Sequence, residues 1–442
     1  MDLVSSHLHH FLIDHFSEFS SKKPNSPFFS TLSRTFLSTL FQNIHQAHIL
    51  WEYHYKDILH LEDPSTRKKN EYEYESNYKN NNLYLHIPEE IRKKYIESKP
   101  REKIFQNKYS IPIGNRVFHI YVWFPITIAS SPNHHKTTVL MSHNQIQEKI
   151  LFILQKIYTW LHIACSYLPK NQKCSQTVDI YLFLTEHKKT MPSILDMKID
   201  EIHVNTAFTT GCIKKNTSIF VFREEEWFKV LMHETFHTLG LDFIDIDHPT
   251  INDTIRRIFP ITVPDIRAYE VYAEMWAEIM NTLFVVYETD PPARKGRLPM
   301  IRWMATLERA FILEQTFSLF QVNKVLYSQR LKYPDLFLAS SAEKYQEETY
   351  IFSYFILKSI WMFHVNSFLE FCAKQPDGIS LKFQLSAKNL DTFLLHLATF
   401  SRSERYLSEM EKIHQLSIPL LDKKKKNDFI ANTLRMTVLE LH

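Results

Sequence analysis

The sequence contains very little glycine, five residues in 442. Loops that bind nucleotide phosphates need glycines at fixed positions so that the backbone can approach the phosphate. Neither GxGxxG nor GxxxxGK(S/T) occurs in the chain. The sequence therefore disfavours the common nucleotide-binding folds.

Cysteine is also sparse, and no secretory leader is visible. The four cysteines, at positions 165, 174, 212 and 372, are widely spaced and form no CxxC pair. The start, MDLVSSHLHHFLIDHF, has neither a basic n-region nor a small-residue cleavage site. We therefore expect reduced thiols in a cytosol-like compartment, and no secretion.

Long uninterrupted apolar runs and a strong charge of one sign are both missing. The apolar stretches 150–168 and 350–372 are interrupted by residues such as Lys156 and Lys358, which are costly in a bilayer, so no membrane span is expected. The net charge of +3 is too weak to indicate a nucleic-acid partner. The basic run 423–426 is interpreted as a solvated turn.

The abundant residues are those of packed interiors, with 44% hydrophobic and 14% aromatic side chains. The length predicts two or three domains. The order of the predicted strands and helices indicates an α+β fold. We divide the chain into a mainly helical region 1–104 with a polar linker at about 62–88, an α+β domain 105–290 and a helical domain 291–442. Predicted strands cover 116–124, 177–185, 201–209 and 217–222, and a long helix capped by Ser142 runs to about residue 168.

The stretch LMHETFHTLGLDF, residues 231–243, contains a His-Glu-x-x-His motif. Acidic residues 224–226 and Gly240 predict a helix over 224–239. On this helix His233 and His237 project from one face, where two imidazoles can bind one Zn²⁺. Glu234 then lies beside the metal as a general base.

A catalytic zinc usually has a third protein ligand. The segment AYEVYAEMWAEIMN, residues 268–281, carries Glu270, Glu274 and Glu278 at helical spacing, with no Lys or Arg in the segment to pair with them. We predict a helix capped at Thr262, with Asp265 in the capping box. Glu270 is the preferred ligand and Glu274 the alternative. Glu274 and Glu278 are expected to support a ligating imidazole by hydrogen bonding.

Other assignments of these acidic residues remain open. Less favoured ligands follow Gly240 directly, namely Asp242, Asp245, Asp247 and His248. Phe243 occupies the position where metzincins carry a third histidine, so that subclass is excluded. The alternative to a metal site is a solvated acidic stripe on the second helix.

The phrases SIFVFREEEWFKVLMHETFHTLGLDF and YEVYAEMWAEIMN resemble the gluzincin branch of the zincin metallopeptidases, in particular predicted zinc metallopeptidases encoded by large double-stranded DNA viruses. The resemblance covers roughly residues 105–290. It implies a zincin-like domain in which His233, His237 and a downstream glutamate bind zinc. Many gluzincins place that glutamate closer to the second histidine than Glu270, which follows His237 by 33 positions. Relatives often use a Tyr or His to stabilise the oxyanion, which makes Tyr269, Tyr272 and His248 candidates.

The function that follows from these patterns is zinc-dependent hydrolysis of peptide bonds in a protein or peptide substrate. A viral chain would act in the host cytoplasm or in the virion. The first alternative is an inactive zincin-fold protein, virion-associated or otherwise, that binds partner proteins through its helical flanks. The second is a nucleic-acid-binding protein in which the motif is accidental.

Overall fold

The computed structural model describes residues 3–21, 27–60, 81–100, 103–130, 137–192, 198–212, 214–246, 248–289, 300–422 and 428–441. Most of the predicted polar linker, residues 61–80, lies outside these ranges, as does the basic run 423–426. The end of the predicted linker forms a 3-10 helix, Asn82–His86.

Most of the described residues are helical, and all the strands lie between residues 104 and 221. The helices are α1 Leu3–Ser21, α2 Thr31–His60, α3 Glu89–Ile91, α4 His143–Ser166, α5 Glu201–Val204, α6 Trp227–Thr238, α7 His248–Ile258, α8 Ala268–Thr289, α9 Met300–Ser328, α10 Lys358–Phe363, α11 Val365–Ala373, α12 Ala387–Ser401, α13 Glu404–Asp422 and α14 Phe429–Asn432. The strands are β1 Ile104–Ile113, β2 Arg116–Pro125, β3 Thr127–Ser130, β4 Thr137–Leu140, β5 Thr177–Phe183, β6 Ala207–Thr209 and β7 Asn216–Val221. Shorter turns are the π-helices Arg92–Glu97 and Phe352–Leu357 and the 3-10 helices Tyr333–Phe337 and Ala339–Ser341.

These elements form two compact units. The first comprises Met1–Gln42, Lys189–Val204 and Asp242–His442, and the second comprises Asn43–Lys188 and Asn205–Leu241. The expected mixture of helix and sheet is confirmed at the level of an α+β chain. The division into 1–104, 105–290 and 291–442 stays a prediction.

The second unit contains a five-stranded mixed sheet in the order β1-β2-β5-β7-β6. Strands β2, β5 and β7 are parallel, and β1 and β6 pair antiparallel at the two edges. The nearly continuous apolar run 177–183 forms the central strand, as expected for a strand covered on both faces. Ser142 caps α4 in a capping box with Gln145, which confirms the predicted start of that helix.

The predicted strand 201–209 is wrong over its first half. Residues 201–204 are helical, and β6 retains three residues. The carboxylate of Asp200 accepts a hydrogen bond from the Ile202 amide at 3.0 Å and lies 2.6 Å from the His203 ring. These local bonds favour a helical turn over an extended strand, although the residues alternate in polarity.

The expectation of four reduced thiols is also wrong. Cys174 and Cys212 form a disulfide within the second unit, with their Cα atoms 5.4 Å apart. The two cysteines are separated by 38 positions in the sequence, so no short motif indicated that they pair. Cys165 and Cys372 are free thiols.

The first unit is helical, and the predicted helix 348–372 is divided into three pieces. The π-helix Phe352–Leu357 continues into α10, and the chain then bends at His364 before α11. The His364 ring lies 2.9 Å from the Ile360 carbonyl oxygen, so a side chain occupies part of the backbone ladder at the bend.

A buried polar network connects the C-terminal segment with three helices of this unit, α8, α9 and α10. Lys358 Nζ donates to Glu278 Oε2 at 2.9 Å and to the Met436 carbonyl at 3.2 Å. Glu314 accepts hydrogen bonds from the amides of Val438 and Leu439, both at 3.0 Å. Burial, and then the charge of Glu278, raises the pKa of Glu314 to about 8.

This raised pKa predicts that stability falls with increasing pH. An ordinary glutamate has a pKa of 4.5. Between pH 4.5 and about 8, Glu314 is therefore protonated in the folded protein and ionised in the unfolded chain. The stabilisation is fully present below pH 4.5 and is lost as the pH rises through about 8. Glu314→Gln should reduce the decrease in the free energy of unfolding over this pH range by on the order of a few kcal/mol.

The measurement is urea unfolding of the wild type and the variant across this pH range. Glu411→Gln, on an exposed position of α13, is the matched control and should leave the profile unchanged. A Glu314→Gln profile parallel to that of the wild type would contradict the prediction.

Candidate metal centre

The motif helix α6 begins later than the acidic residues before it predict. Helix geometry starts at Trp227, and Glu226 precedes it in the left-handed conformation, with φ of 59°. The backbone is held here by the guanidinium of Arg223, which donates to the carbonyls of Asn205 at 2.7 Å and Lys188 at 2.8 Å. Residues 224–226 therefore lie before the helix rather than in its first turn.

Gly240 ends the motif helix, as predicted. Its φ is +60°, and Leu239 is the C-cap. The Leu241 amide donates to the Phe236 carbonyl at 2.8 Å, and the Gly240 amide donates to the His237 carbonyl at 3.1 Å. This pair of bonds is a Schellman motif, which needs a residue that tolerates positive φ.

Gly240→Ala is expected to destabilise the protein for two reasons. A left-handed alanine costs about 1–2 kcal/mol. An added Cβ would also lie 3.1 Å from Cys212 Sγ. Gly378→Ala is the matched control, because Gly378 has φ of +70° and no atom within 4 Å of the added Cβ. Urea unfolding should show a larger loss at Gly240; equal losses would mean that the contact with Cys212 is immaterial.

The two motif histidines converge on one point. Their Nε2 atoms are 3.0 Å apart, and His233 and His237 are 4% and 5% exposed. Two nitrogen ligands of one tetrahedral zinc, each at about 2.0–2.1 Å, lie roughly 3.3 Å from one another. The separation is therefore close to what a shared ion requires.

Helix α4 supports the opposite side of the motif helix through residues that the sequence analysis missed. Trp160 Nε1 donates to Thr235 Oγ1 at 2.7 Å, and the Trp160 ring stacks on Phe236. Thr235 Oγ1 in turn donates to the Met232 carbonyl. Trp160 precedes the motif by more than 70 positions, and no spacing rule links them.

The second predicted site helix, α8, begins at Ala268 rather than near Thr262. Thr262 Oγ1 donates to the Ala342 carbonyl at 3.2 Å, so it does not cap the helix. Asp265 binds the Arg267 guanidinium at 2.9 Å and Asn252 Nδ2 at 3.1 Å. The predicted capping box is therefore wrong, because these side chains bind partners outside the helix.

The three glutamates of α8 are buried rather than solvated. Glu270, Glu274 and Glu278 are 5%, 3% and 0% exposed, which excludes the interpretation as a solvated acidic stripe. Glu278 forms an ion pair with Lys358, a partner supplied from 80 positions further along the chain. The absence of Lys and Arg from the segment itself therefore did not indicate whether these acids are paired.

His233, His237 and Glu270 each offer one metal-binding atom, and these atoms all lie within 4.8 Å of one another. No other group of three His, Cys, Asp or Glu residues with this spacing occurs in the described ranges, and Glu274 is not a member of this one. Two imidazoles and one carboxylate are a donor set of catalytic zinc sites. The three residues could therefore hold a metal ion.

The three candidates for oxyanion stabilisation differ in their surroundings. Tyr272 is fully buried, and its hydroxyl donates to the Leu381 carbonyl at 3.0 Å. Burial, and then the charge of Glu270, raises the pKa of Tyr269 above its usual range, so this hydroxyl stays protonated as a donor. His248 begins α7, and its side chain lies outside the described part.

Among the less favoured ligand candidates after Gly240, the described side chains of Asp242 and Asp245 are not members of this three-residue group. Asp242 is buried and accepts a hydrogen bond from the Ile244 amide at 3.3 Å. Asp245 is not a member of the group either, and Asp247 lies outside the described residues.

No described helix is both long enough and apolar enough to cross a membrane. The chain matches no protein-family model, no characterised protein and no solved structure.

Proposed function

We propose that the protein is a zinc-dependent metallopeptidase of the zincin type. The observation that carries the proposal is the group formed by His233, His237 and Glu270, with Glu234 adjacent to the first ligand on the same helix. The second unit adds a mixed sheet whose strand β7 leads into the motif helix, as expected of a zincin-like domain.

The three side chains would hold the metal through two imidazole nitrogens and one carboxylate oxygen. Zinc, when bound, supplies a Lewis acid that lowers the pKa of water and polarises a peptide carbonyl. Burial of the ligands strengthens their interaction with a cation, because few water molecules compete for it.

Glu234 is the residue that moves protons in this proposal. Its carboxylate removes a proton from the attacking water, and the resulting hydroxide adds to the carbonyl carbon. The carbon–nitrogen bond then breaks as Glu234 returns that proton to the departing amine. Proton balance is kept, and no covalent bond between enzyme and substrate is required.

An extended substrate can add its main chain only at a strand edge that is not already paired. Strand β7 pairs with β5 on one side and β6 on the other, so its backbone groups are occupied. Strand β6, Ala207–Thr209, lies at the end of the strand order. We therefore assign the substrate backbone to β6, where added main-chain hydrogen bonds are sequence-tolerant.

A second candidate function, a structural metal site in an inactive protein, is favoured by one observation. His233, Glu234, His237 and Glu270 are all less than one-tenth exposed, whereas a catalytic zinc needs a position open to substrate. The function of the protein would then be to bind partner proteins through its helices.

An unbiased peptide library separates the two candidates. The zinc-loaded full chain is incubated at neutral pH and the products are identified by mass spectrometry, beside the double variant His233→Ala, His237→Ala. New termini with the wild type alone support the peptidase. Stoichiometric zinc without products supports the structural site, and absence of zinc after reconstitution contradicts both.

A further inference from the structure

The C-terminal end of the motif helix is fastened by a disulfide and by the loop beside it. We infer that Cys174–Cys212, together with Gln172, forms a redox-sensitive clamp that positions His237 for metal binding. This inference rests on the proposed function, because it concerns regulation of the same site. Ser175, which follows Cys174, is the remaining member of this clamp.

Gln172 connects the disulfide directly to the helix end. Its Nε2 donates to the Leu239 carbonyl at 2.7 Å and lies 3.0 Å and 3.1 Å from the sulfurs of Cys174 and Cys212. Leu239 is the C-cap of the motif helix. One amide group therefore contacts both the bridge and a carbonyl that the helix leaves without an intrahelical donor.

Ser175 satisfies the carbonyl one residue earlier. Its Oγ donates to the Thr238 carbonyl at 2.6 Å and receives a hydrogen bond from Thr217 Oγ1 at 3.1 Å. Ser175, Thr217 and Thr238 are all buried. Arg116 also binds this loop, because its guanidinium donates to the Cys174 carbonyl at 2.6 Å.

Thr238 follows His237 directly, so the clamp holds the backbone next to a metal ligand. There is little spare room at this point, because a Cβ at Gly240 would lie 3.1 Å from Cys212 Sγ. Reduction removes the covalent link between Cys174 and Cys212. We therefore expect the loop that carries Gln172 and Ser175 to hold the helix end less firmly.

The reduction is a two-electron step. A dithiol donates two electrons and two protons, the Sγ–Sγ bond breaks, two cysteine thiols form and the dithiol becomes a cyclic disulfide. Residues that orient a metal ligand typically contribute 10- to 100-fold to metal affinity. We expect zinc affinity to fall by about tenfold on reduction.

The test compares the full chain in its oxidised and reduced states. A phosphine reductant is used because dithiols bind zinc themselves; it is oxidised to the phosphine oxide with oxygen from water and is removed before titration. Zinc affinity is measured by competition with a chelating dye. The double variant Cys174→Ser, Cys212→Ser should match the reduced protein, and Cys165→Ser, at a free cysteine, should match the oxidised one.

Two further readouts do not depend on zinc. Alkylation of the denatured, unreduced protein should modify two cysteines, and hydrogen exchange at the Gly240 and Leu241 amides should quicken on reduction. If zinc never binds but exchange quickens, the proposed function fails while the clamp on the helix end stands. Four modified cysteines, or equal zinc affinity and equal exchange in the two states, would overturn the clamp.

Discussion

Glu234→Gln is expected to lower peptide hydrolysis by roughly 100- to 10,000-fold while zinc remains bound. The amide has nearly the same shape as the carboxylate but cannot take a proton from water. The ligand atoms of His233, His237 and Glu270 are unaltered, so the metal site itself should persist. The measurements are the turnover of a cleaved library peptide and the zinc content of the same preparation.

Glu224→Gln is the matched control for this prediction. Glu224 precedes the motif helix and forms an ion pair with Lys149 at 2.5 Å, outside the ligand group. Its removal should leave turnover within about twofold, since a partly exposed ion pair outside the ligand group contributes little. Unchanged turnover in Glu234→Gln would show that another group moves the proton.

Glu270→Gln is expected to remove zinc, whereas Glu274→Gln should retain it. Both changes preserve side-chain size on the same helix, and both positions are buried, so the pair isolates the ligand role. A neutral amide is a poor zinc ligand, and loss of one of three protein ligands should weaken affinity more than about 100-fold, beyond the effect of a supporting residue.

The measurement is zinc content after dialysis, followed by dye competition for variants that retain metal. The reverse pattern would assign the ligand to Glu274, the alternative that the sequence left open. Zinc retained by both variants would remove α8 from the site. Glu278 is unsuitable as a control, because breaking its buried ion pair with Lys358 costs about 3–5 kcal/mol and confounds binding with folding.

Local patterns predicted several of the elements around the candidate metal centre. The parallel strands β2, β5 and β7, the capped start of α4 and the Gly240 end of the motif helix all agree with the sequence. These features depend on periodicity, capping and positive φ, which involve residues a few positions apart. The same locality explains the pairing of His233 with His237, since one helical turn brings them together.

Local patterns failed where a distant side chain competes for the same group. The predicted caps of α8 failed because Thr262 and Asp265 bind other partners. A short polar turn at Asp200 replaced half of a predicted strand. The C-terminal segment 433–440 is buried against α9 through Glu314, which its own composition does not indicate.

The sequence by itself therefore determined the donor atoms, namely two imidazoles one turn apart and a set of three carboxylates on a later helix. Only the tertiary structure showed that Glu270 lies closest to this pair as a candidate ligand, that Glu278 forms an ion pair with Lys358, and that Cys174 bonds Cys212. The reason is physical. A helix places residues three or four positions apart without help from the rest of the chain, whereas contacts between residues 33, 38 or 80 positions apart depend on how all the intervening elements pack.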